Sequence, residues 1–111
     1  MFKNFFYFFL FFFFYINLKA SDRDGTIFLD QLSSWKIDYA NLSSNKAGAA
    51  CLPLQSENKY KALGLSYQLA DIEYAKKIAI DGCNKMKEKN EILSSCECEI
   101  IFVNDKYIGD K

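Results

Sequence analysis

Four cysteines, Cys51, Cys83, Cys96 and Cys98, constrain this chain more than any other feature, because two of them stand one glutamate apart in the stretch SSCECEIIFV. Residues i and i+2 of a strand share a face with their α-carbons about 6.5 to 7 Å apart, at or beyond the reach of a disulfide. Cys96 and Cys98 therefore each need a distant partner. A helical pattern before them presents Cys83, and Cys51 lies in the coil that precedes that half. Two arrangements are open: Cys83 with Cys96 and Cys51 with Cys98, or the same two crossed. A bridge from Cys83 to either partner closes a loop of about 15 residues and stabilises by about 3 kcal/mol in the chain-entropy model.

Disulfides persist in oxidising compartments, and the N-terminus points to one. Residues 1–20, MFKNFFYFFLFFFFYINLKA, carry Lys3, an apolar run from Phe5 to Ile16, and a small residue at Ala20. That is the layout of a secretory signal peptide. A helix of twelve residues reaches only about 18 Å, against a hydrocarbon core of about 30 Å, so cleavage is expected in place of a stable span. Export to a periplasm or beyond the cell follows, with membrane association only if the segment is retained. All four cysteines lie in the exported part, and an even count in a short exported chain reads as two bridges.

Removal of residues 1–20 leaves a chain sufficient for one small domain with a thin stability margin. It takes Lys3 and Lys19 with it, reducing the basic residues from 14 to 12 against 14 acidic ones. The formal charge of −2 carries no footprint for nucleic acid or an anionic membrane. The absence of histidine from the sequence excludes histidine-dependent triads, cysteine–histidine dyads and imidazole metal sites.

The pattern over residues 21–58 is weak. Phe28, Leu32, Trp35 and Tyr39 recur at helical spacing, which predicts a short helix over Ile27 to Trp35 within an otherwise irregular segment. Pro53 limits a strand around Cys51 to Leu54 to an edge or a bend. Residues 59–111 read β-α-β-β. KALGLS supplies a strand with Leu63 and Leu65 on one face and Ala62 and Gly64 on the other. In the helix that follows, Ile72, Ala75, Ala79, Gly82, Cys83 and Met86 form a core-facing stripe of small side chains, fit to lie close on a sheet. Asp71 and Glu73 at its start and Lys85, Lys87 and Lys89 at its end oppose the helix dipole, and Asn90 is a stop. Gly82 suggests a close packing contact. CECEIIFV then places Cys96, Cys98, Ile100 and Phe102 on one face of a strand, and a turn at Asn104-Asp105 or Asp105-Lys106 leads into a short last strand. The expected core is Leu63, Leu65, Ile72, Ala75, Ala79, Met86, Ile100 and Phe102.

The same residues offer other chemistry. Cys-Glu-Cys could hold copper(I) or take part in thiol redox, but Cys51 and Cys83 make no zinc knuckle with it. Asp22, Asp24 and Gly25 match the third, fifth and sixth positions of a calcium loop, but Gln31 stands where a bidentate carboxylate is required. A polar N-terminal turn is the simpler reading. Glu97 and Glu99 point away from the cysteines, as a solvated face. Trp35, Tyr39, Tyr60, Tyr67, Tyr74 and Tyr107 can line a groove or fill a core.

From Tyr60 to Ile108 the chain resembles small exported bacterial domains of unknown function of the DUF-4189-like type. The residues concerned are KALGLS, then Ala75, Ala79 and Cys83, then Cys96 or Cys98, then EIIFVNDKYI, with YQLAD where such domains often carry a glycine and an aromatic pair. The resemblance implies a two-layer α+β domain with a helix-to-strand disulfide, and brings no catalytic residues.

The sequence thus predicts an α+β, disulfide-stapled domain with one main helix on a short antiparallel sheet. The expected role is non-enzymatic and cofactor-free, binding or accessory to an envelope component or protein partner. Inhibition of an extracellular or periplasmic hydrolase, and thiol or copper(I) carriage through Cys96 and Cys98, are the alternatives.

Overall fold

The computed structural model of the protein describes residues 22, 24–54, 59–90 and 96–109; the proposed signal peptide lies outside them. The elements run α1 (Thr26–Ser34), a 3-10 turn (Tyr39–Asn41), β1 (Ala47–Leu52), β2 (Leu63–Ser66), α2 (Ile72–Lys89), β3 (Glu97–Val103) and β4 (Lys106–Tyr107). The four strands form one antiparallel sheet in the order β2-β1-β3-β4. With α2 packed on one face, this is the two-layer α+β arrangement expected from the residue pattern.

The helix α2 forms where the stripe predicted it. Its N-cap is Asp71, whose carboxylate accepts from the Tyr74 amide at 2.8 Å, and its C-cap is Asn90. Ala75, Ala79 and Cys83 are buried beneath it. The side chains that meet them from the sheet are also small: Ala47, Ala49 and Cys51 of β1, with Ala62 just before β2. Apolar burial here is modest per residue, so close approach and covalent bridges take the place of bulk.

The close approach is made at Gly64. A β-carbon there would overlap the Ala79 carbonyl and the Cys83 amide, which are backbone atoms that cannot swing away. At Gly82, in contrast, the nearest atom to an added β-carbon is the Gly64 α-carbon at 3.6 Å, an ordinary contact. Gly82 thus lies against the strand, as its expected packing contact requires, but the glycine that this approach cannot do without is Gly64.

The described residues within 21–58 are not irregular apart from a helix. They contain β1, an inner strand buried from Ala47 to Cys51 and paired with both β2 and β3. Of the edge or bend expected from Pro53, the structure has the bend: β1 ends at Leu52, directly before the proline, and lies inside the sheet. A strand of Ala-Gly-Ala-Ala has almost no β-propensity of its own; its neighbours on both sides hold it extended.

The core is also divided differently from the expected single set. Opposite β3, the register passes from Ala49 with Ile100 to Gly48 with Phe102, leaving Ile101 as an extra residue. Such a bulge breaks strict alternation. Cys98 and Ile100 stay on the α2 side, whereas Phe102 turns to the other face with Ile101. Leu63 and Leu65 also lie on that other face. There α1 and the 3-10 turn supply Phe28, Leu32 and Tyr39. Phe28 stacks on Phe102 with ring centroids 5.3 Å apart, and Tyr39 packs against both rings. Trp35, which shares the helical spacing of Phe28 and Leu32, is the C-cap of α1 and 45% exposed.

Candidate functional site

The bridges are Cys51–Cys96 and Cys83–Cys98, with α-carbons 5.2 and 6.0 Å apart. Of the two arrangements left open by the sequence, this is the crossed one. Register gives the reason that Cys51 and Cys96 can meet: Cys51 stands opposite Cys98 and Leu52 opposite Glu97, so Cys96 lies one step beyond, diagonal to Cys51. Cys98 is then left facing α2 and Cys83. The Cys-Glu-Cys pair thus joins the start of β3 to both β1 and α2. Glu97 and Glu99 between and beyond the cysteines are exposed.

On the opposite side a buried ammonium ties the N-terminal segment to the sheet. Lys46 is 1% exposed. Its Nζ donates to the carbonyls of Tyr39 at 2.7 Å, Leu42 at 3.0 Å and Ala40 at 3.3 Å, and it pairs with Asp105 at 2.7 Å. The carbonyls belong to the 3-10 turn and its C-cap, where a cation is favoured; that of Tyr39 also accepts from the Leu42 amide at 3.1 Å. The same ammonium lies 4.5 Å from the centroid of the Tyr39 ring. Asn104 completes the knot: its side chain accepts from the Lys46 amide at 3.0 Å, and its carbonyl accepts from the Tyr39 hydroxyl at 2.6 Å. Burial pushes the Tyr39 phenol well above its usual range, and the Asp105 charge adds to the shift.

The Asp22 carboxylate, considered for calcium, is occupied by the fold. It accepts from the amides of Ile27 and Phe28 at the start of α1, at 3.1 and 3.2 Å, and from the Tyr60 hydroxyl at 2.6 Å. Desolvation, then this hydrogen bond, drives the Tyr60 phenol far above its usual range. Gln31 clamps the Tyr60 backbone with both ends of its amide, accepting at 2.7 Å and donating at 3.0 Å. Asp24 accepts from the Thr26 amide and hydroxyl.

A groove of about 510 Å³ runs along the connection from α1 to the 3-10 turn. It is lined by the apolar Leu29, Ile37, Tyr39 and Ala40 and the polar Asp30, Ser33, Lys36 and Asp38. No sequence pattern marks this groove, because its lining comes from a helix end and a turn with no shared periodicity. Among the aromatic residues considered for a ligand surface, Tyr39 and Tyr60 are core, Tyr107 is half-buried, and Trp35, Tyr67 and Tyr74 are exposed.

No protein-family model matches the chain, and no curated protein or solved structure shows significant similarity to it. The class that the fold and its bridges define is a small two-layer α+β domain locked by two disulfides.

Proposed function

We propose that the protein is an exported, non-enzymatic binding or accessory domain for an envelope component or protein partner, akin to the DUF-4189-like domains its second half resembles. The observation that carries this reading is the pairing of all four cysteines in two bridges. Such bridges persist outside reducing compartments, and they follow a segment with the layout of a signal peptide. The buried polar side chains support binding over catalysis, since Asp22 and Lys46 are spent on capping backbone groups that hold α1 and the 3-10 turn. The groove beside α1, presented by a body cross-linked at β1, α2 and β3, is the surface we assign to the partner.

The test uses the natively exported chain. Intact mass before and after alkylation without reductant should show residues 1–20 removed and no thiol labelled. Trp35, the only tryptophan, is placed to report occupancy of the neighbouring groove by a shift in emission when envelope fractions are added. Labelled thiols on the native protein would remove the basis of the proposal. Turnover of an envelope substrate, lost in a point variant that stays folded, would replace it with an enzyme.

A further inference from the structure

The two bridges do not stand apart from one another. Cys51 donates its amide to the Ala62 carbonyl at 2.9 Å, toward β2. In an antiparallel ladder a residue bonded to one neighbour is unbonded toward the other, so Cys51 and Cys98 form a non-hydrogen-bonded pair. Residues in such pairs have α-carbons about 4.5 Å apart and their side chains at closest approach. That distance lies within the range a disulfide spans. Cys51, Cys83, Cys96 and Cys98 all belong to the cluster between α2 and the sheet. Cys51, Cys83 and Cys96 are 1%, 0% and 2% exposed, and only Cys98 is part-exposed. The residue directly across from Cys51 is thus bonded elsewhere, and it is the one a reductant can reach.

We propose that the four cysteines form an exchange-coupled redox switch, in which reduction of Cys83–Cys98 is followed by transfer of Cys98 to Cys51, freeing Cys83 and Cys96. The co-reactant is an external dithiol. Its first thiolate attacks the Cys98 sulfur, the Cys83–Cys98 bond breaks, and Cys83 leaves as a thiolate that takes a proton. The second thiolate of the reductant resolves the mixed disulfide, so the dithiol is oxidised to its own disulfide and Cys98 leaves as a thiolate. That thiolate attacks Cys51, the Cys51–Cys96 bond breaks, the Cys51–Cys98 bond forms, and Cys96 leaves and is protonated. The last step is redox-neutral; overall one disulfide is reduced by two electrons and two protons. The product keeps β1 stapled to β3 but releases α2 from the sheet, so the layer that carries Cys83 loosens while the sheet stays cross-linked.

The experiment treats the oxidised mature protein with limiting dithiothreitol, quenches with acid, alkylates the thiols and maps the two-thiol species. Cleavage after Glu97 separates Cys96 from Cys98. The expected species has label on Cys83 and Cys96 and a Cys51–Cys98 link in more than half of the molecules. A two-thiol species labelled on Cys83 and Cys98, or on Cys51 and Cys96, would overturn the proposal, as would direct passage to four thiols. A Cys83→Ala variant gives a second reading without reductant. It should carry Cys51–Cys98 and a free Cys96 as its main form, whereas Cys51–Cys96 alone would count against the switch.

Discussion

Gly64 and Lys46 show how much can depend on single residues, one on the α2 face, where apolar bulk is small, and one beneath the 3-10 turn. Gly64→Ala should destabilise by about 3 kcal/mol or more, since overpacking against backbone cannot be relieved by a rotamer change. Gly82→Ala should be neutral or stabilising by up to about 1 kcal/mol, because helix propensity favours alanine and the added methyl meets ordinary contacts. Urea midpoints of the two variants decide the matter, and equal losses would show that α2 is seated differently. Lys46→Met should cost about 3 kcal/mol, since it removes a buried cation that satisfies the carbonyls of Tyr39, Ala40 and Leu42. Asp105→Asn should cost about 1 kcal/mol or less, its carboxylate being 75% exposed. Hydrogen exchange would place the Lys46 effect in the 3-10 turn and the β3–β4 turn. This role is not legible in the local pattern, since Lys46 sits in SSNKAG among turn-forming residues; its backbone partners are carbonyls of a turn just before it, and its charged partner, Asp105, comes from the β3–β4 turn.

At the level of elements, the two staples should differ in weight. Replacing Cys83 and Cys98 together by alanine removes a cross-link spanning 15 residues and should cost about 3 kcal/mol. Replacing Cys51 and Cys96 removes one spanning 45 residues and should cost about 4 kcal/mol in the same chain-entropy account. Denaturant unfolding of the two double variants measures the difference, and a larger loss from the shorter loop would indicate that enthalpy in α2 packing dominates. The short helix α1, the main helix α2 and the strands β2, β3 and β4 were legible in the sequence because each carries a period, a cap or a turn pair. β1 was not, because AGAACL next to a proline has neither alternation nor β-branched residues. Its extended form comes from two flanking strands brought in from later in the chain.

For the whole molecule, the two buried phenols set the alkaline limit. Tyr39 and Tyr60 both have their pKa raised in the folded state, against about 10 when unfolded. The unfolded chain therefore binds fewer protons than the folded one once the pH exceeds about 10, and stability falls as pH rises. Their contribution is fully present below about pH 10 and is lost progressively above it. Denaturant midpoints from pH 8 to pH 11.5 should be flat and then decline, and Tyr60→Phe should make the decline shallower. A wild-type profile with no decline would show that neither phenol is held protonated by the fold.

The sequence by itself determined the α+β class, the pattern of α2, the turn after Val103 and the need for Cys96 and Cys98 to seek distant partners. These follow from local periodicity, from capping chemistry and from the fixed distance between neighbouring residues of a strand. Only the tertiary structure decided which cysteine meets which, that the core is divided between two faces of the sheet, and that a groove lies beside α1. The bulge at Ile101 turns Phe102 to the face opposite Cys98, and the one-step register of β1 against β3 sets Cys96 diagonal to Cys51. Both are relations between strand positions 45 to 56 residues apart in the chain, and neither leaves a mark in the local pattern of either strand.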